Sequence, residues 1–103
     1  MLRYETTKVS IPANGERKGV ILTVQPGKKI TLKGLANDHN VVSIVFIEIK
    51  ENRLIRCYYN VTAGYGNFIP LNMEVNGPEE ISVGAEDLSG SGGDINFVLM
   101  YEE

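Results

Sequence analysis

The chain alternates. In "GVILTVQ", Val20, Leu22 and Val24 share one parity, with Ile21, Thr23 and Gln25 on the other. "KKITLKGL" sets Ile30 and Leu32 against Lys29, Thr31 and Lys33. Ile55, Cys57, Tyr59 and Val61 fall together, as do Ile69, Leu71, Met73 and Val75. Ile81, Val83 and Ala85 form another set, and Ile95, Phe97, Leu99 and Tyr101 the last. A period of two marks strands with one face buried and one wet. "VVSIVFIEI", Val41 to Ile49, is apolar on both parities and predicts a central strand covered on both sides. No segment carries a 3.6-residue stripe, so no helix is expected beyond a single turn near Leu35–Asn40.

Turn residues punctuate these runs. Asn14-Gly15, Pro26-Gly27, Glu51-Asn52, Asn76-Gly77-Pro78 and the glycine-serine stretch at 90–93 all fall between them. Gly and Asn accept positive φ, and Pro presets the first turn position. "KENR" is short enough for a tight hairpin, and Pro70 points to an edge strand or a bulge. The runs predict about eight strands, near 4–11, 19–25, 28–35, 41–50, 53–61, 68–75, 79–86 and 94–102. Eight short antiparallel strands in 103 residues predict an all-β, jelly-roll-like, two-sheet β-sandwich occupying 1–103 as one domain.

The opening "VSIPANGERKGVILTVQPGKKITLKGL" and the closing "IPLNMEVNGPEEISVGAEDLSGSGGDINFVLMYEE" carry this rhythm. In strand spacing and turn position the chain resembles small single jelly rolls that serve as structural, decoration or fibre-head domains of viruses and phages. It also resembles β-sandwich carbohydrate-binding modules. The resemblance implies a structural or binding role and carries no catalytic signature.

Composition narrows the function classes. No apolar run approaches the roughly 18 residues that cross a bilayer, and the N-terminal decapeptide has no secretory h-region. The single cysteine, Cys57, cannot form an internal disulfide and is expected to point into the core. Residues 1–56 hold all ten basic side chains and five acids, while residues 57–103 hold eight acids and no base. Either the halves interleave and neutralise each other, or separate patches survive and steer a partner. The bases are scattered, with no aromatic ladder among them, which argues against nucleic acid.

Candidate chemistry is sparse. His39 lies in the polar loop "NDHN" with no nucleophile placed by the pattern, and is expected to be a solvent-exposed turn residue. No catalytic residue and no cofactor are assigned. "EDLSGSGGD" offers Glu86, Asp87 and Asp94 as oxygen ligands for calcium. The EF-hand order is absent, so a flexible crossing between the last two strands is expected there instead. "YYNVTAGYGNF" places Tyr58, Tyr65 and Phe68 around a glycine-containing loop, suited to stacking on a sugar or anchoring a protein. With Phe97 and Leu99 inward, Val98 and Met100 fall on the outer parity as apolar residues, which predicts a covered face: either a subunit interface, taken here as Val98 and Met100, or a central strand covered on both sides. The expectation is a homo-oligomer, a trimer, contacting other structural proteins at a virion surface. The alternative is a glycan-binding module.

Overall fold

A computed structural model describes residues 1–61 and 68–103. Among these residues, eight strands form two antiparallel sheets of four. They are β1 (Leu2–Ile11), β2 (Glu16–Val24), β3 (Lys29–Asn37), β4 (Ser43–Ile49), β5 (Asn52–Tyr58), β6 (Ile69–Asn76), β7 (Glu79–Asp87) and β8 (Gly93–Glu102). Sheet A runs β1-β8-β3-β6 and sheet B runs β2-β7-β4-β5. First pairs with last, second with seventh, third with sixth and fourth with fifth. That nesting is a hairpin rolled up on itself, the jelly-roll arrangement expected from the strand count.

The core lies between the sheets. Leu32, Leu35, Val45, Ile47, Ile81, Val83, Ile95, Phe97 and Leu99 are all at 0% exposure. Apolar side chains on one parity of each strand meet across the roughly 10 Å between packed sheets. β1 and β2 pack against each other and close one side of the sandwich. On the opposite side, between β5 and β6, Ile49, Ile55, Cys57, Tyr59, Ile69 and Met73 are only partly buried.

Three register shifts break the strict alternation. The one between Val20 and Leu22 inserts Ile21 as an extra residue. Ile21 thereby turns inward to 7% exposure while Val20 is left 47% exposed, so Val20 no longer shares a face with Leu22 and Val24. A bulge adds one residue to one strand only, so every parity beyond it changes. The turn expected near 35–40 is instead the end of β3, which continues to Asn37. The "KENR" hairpin forms with Lys50 and Glu51 both at positive φ, 52° and 64°. Those are the signs that a two-residue hairpin turn of matching twist requires.

The charge asymmetry is absorbed by this topology. Since early strands pair with late ones, Arg3 meets Glu103, Lys8 meets Asp94, Lys29 meets Glu74 and Lys50 meets Glu79. Interleaving, rather than separate patches, describes these pairs.

Candidate functional site

The loop after β7 is organised by one carboxylate. Asp87 Oδ2 accepts from the backbone N–H groups of Asn14, Gly90 and Gly92, at 2.8, 3.0 and 3.2 Å. Its Oδ1 accepts from Ser89 N–H at 2.9 Å and Ser89 Oγ at 2.5 Å. Gly90 and Gly92 adopt φ of 84° and 67°, which turns their amides toward that carboxylate. The Ser89 hydroxyl foremost, then the Asn14 amide, hold the Asp87 carboxyl down to about 2. The stretch expected to be a flexible crossing is thus a hydrogen-bonded ring around an anion. It also ties the β1–β2 turn to the β7–β8 loop.

The three calcium candidates are engaged separately. Glu86 accepts both Nε and Nη2 of Arg56, at 2.7 and 2.9 Å. Asp94 accepts from Ser10 Oγ at 2.6 Å. Asp87 presents its lone pairs to hydrogens that a cation would first have to displace. Among the described residues, no group of three or more His, Cys, Asp or Glu side chains gathers as a metal site.

An acid titration follows from these contacts. Hydrogen bonds from Lys18 first and Arg53 next lower the Glu48 carboxyl below its usual 4.5, and Arg56 chiefly lowers Glu86. A carboxyl whose folded value is depressed adds stability above its unfolded value and loses it as pH falls through the folded one. Stability should therefore hold from neutral pH to about pH 5 and then decline. The Asp87 contribution is lost between its ordinary 3.8 and about 2. Asp87→Asn should lower the melting temperature by several degrees at pH 7, because an amide –NH2 must then face N–H donors. It should also flatten the acid limb. Melting curves from pH 7 to 2 check this, and an unchanged limb would contradict it.

The outer face of sheet B carries an ionic lid. Phe46 points away from the core yet is 1% exposed. The Arg53 guanidinium lies over its ring, 3.7 Å from the centroid. Arg53 Nε and Nη2 reach Glu48 Oε2 at 2.9 and 2.6 Å, and its Nη2 also reaches Glu16 at 2.8 Å. Lys18 Nζ donates to Glu48 Oε1 at 2.7 Å. Lys18, Arg53 and Arg56 thus oppose Glu16, Glu48 and Glu86 with equal formal charge. Apolar residues on both parities of β4 predict its double-sided burial. They do not point to Arg53 as the cover, because the shift between Ile47 and Glu48 decides which face Arg53 takes.

On the outer face of sheet A, Val98 is half-buried and Met100 is 5% exposed. Met100 pairs across the ladders with Tyr4 and Gly34. Phe68 and the Met100 methyl both lie over Gly34, each 3.1 Å from where a Cβ would stand. Tyr4 meets Phe68 edge-on at 6.3 Å and is itself 55% exposed. The solvent-facing Met100 expected from parity is therefore covered by its own chain, and Tyr4, which the sequence did not single out, joins Phe68 and Val98 at the surface.

Tyr58 stands 60% exposed at the end of β5, on the outer face of sheet B, away from Phe68. Tyr65 lies outside the described residues. Beside Tyr58 is a hollow of about 250 Å³ lined by Ile44, Arg56, Cys57, Tyr58 and Val61. Cys57 faces inward but is half-buried, since it lies on the open β5 side; burial raises its thiol pKa. His39 is not the solvent-exposed residue expected: its ring packs edge-on against Tyr59 at 6.1 Å, with Nε2 shielded and without a partner among the described residues.

No family profile matches the chain, and no curated protein matches it either. Solved structures with similar architecture include the pre-peptidase C-terminal domain of a Bacillus anthracis collagenase, at 15% identity and a TM-score of 0.49, covering 90% of this chain and 86% of that one. A cyanophage Pam1 capsid chain is similar at 13% identity and 0.46, covering 98% and 84%. A family 35 carbohydrate-binding module from Clostridium thermocellum is similar at 9% identity and 0.42, covering 97% and 90%. Phage capsid proteins and a carbohydrate-binding module are thus among the small β-sandwich domains it resembles.

Proposed function

We propose that this domain is a non-enzymatic structural or binding protein that works by surface complementarity, as a homo-oligomer within a larger assembly. The observation that carries this reading is the outer face of sheet A. There Tyr4, Phe68 and Val98 form a partly exposed apolar strip over the buried Met100. Apolar surface gathered at the middle of a sheet, with paired charges around it, suits contact with another protein surface. The ionisable groups nearby are held in pairs such as Lys8–Asp94 and Lys29–Glu74 rather than poised for proton transfer. Placement at a virion surface extends the resemblance described above, and three copies is the stoichiometry proposed for the contact.

Light scattering after size exclusion tests the reading with wild type and Tyr4→Lys. The wild type should elute as several copies, and the exposed lysine should lower that mass while leaving the circular dichroism unchanged. A Tyr4→Lys protein of wild-type mass would remove sheet A from the proposal.

A second reading rests on Tyr58, an aromatic ring 60% exposed beside Arg56 on the rim of a hollow. Such a ring can stack on a sugar. A glycan array probed with and without chelator decides it. Binding that Tyr58→Ala abolishes would support a carbohydrate-binding module, and chelator sensitivity would add calcium near Asp94.

A further inference from the structure

We draw no further inference here: the strongest candidate, the exposed apolar patch that Val42, Tyr58, Val61 and Leu88 form at one end of sheet B, carries nothing because nothing in the structure shows what covers it.

Discussion

Phe97→Ala is expected to destabilise the protein by about 3–5 kcal/mol, the cost of emptying a fully buried aromatic site. Phe97 has 0% exposure and sits in β8, an interior strand of sheet A. Its cross-strand partners are Thr7 and Asn37, neither of which can refill the space with apolar volume. Domains of this size hold together by about 5–15 kcal/mol, so the variant should be close to unfolding at 37 °C. Urea unfolding followed by circular dichroism measures the loss. Val98→Ala, one residue along and on the half-buried outer face, should cost about 1 kcal/mol. Equal losses at the two positions would contradict the assignment of inner and outer faces.

Gly84→Ala should cost about 3 kcal/mol although it adds a single methyl group. A Cβ at Gly84 would stand 2.2 Å from the Arg17 carbonyl oxygen and 2.8 Å from Lys18 Cα, both backbone atoms of β2. It would also stand 2.8 Å from Phe46 Cζ. β2 would have to move off β7, and the Phe46 ring would lose its seat beneath Arg53. Both the β2–β7 ladder and the ionic lid depend on this absent side chain. Thermal melting compares Gly84→Ala with Gly27→Ala, whose Cβ would meet nothing within 4 Å and whose cost is only its positive φ. A Gly84 variant as stable as the Gly27 variant would show that the close approach of β2 is not required.

The fold was legible because period two reports the packing directly. Every predicted run became a strand, and Leu71, Val83, Ile95 and Phe97 took the expected inner face. What alternation cannot carry is a bulge. Val20 parted from Leu22 and Val24 because one extra residue in β2 offsets the count, and Arg53 became the cover of Phe46 through the shift near Glu48. The charge asymmetry read along the chain dissolved in space, since strand pairing first-to-last sets bases beside acids. The long-range role of Asp87 was also hidden, because its partners Asn14 and Gly92 come from two different loops.

The candidate surfaces were half legible. Parity placed Val98 and Met100 on the outer face correctly. It could not show that Phe68 and Met100 would both lie over Gly34, which depends on that residue's missing side chain. Tyr58 was identified from the sequence as a contact residue and is exposed. The hollow beside it, with Ile44 from the neighbouring strand, needed the ladder between β4 and β5.

Sedimentation equilibrium of the unmodified protein, from nanomolar to high micromolar, tests most directly the claim that copies of this domain recognise one another. The account predicts a mass that rises with concentration to a whole-number multiple of the chain. A single-chain mass across the entire range would contradict it.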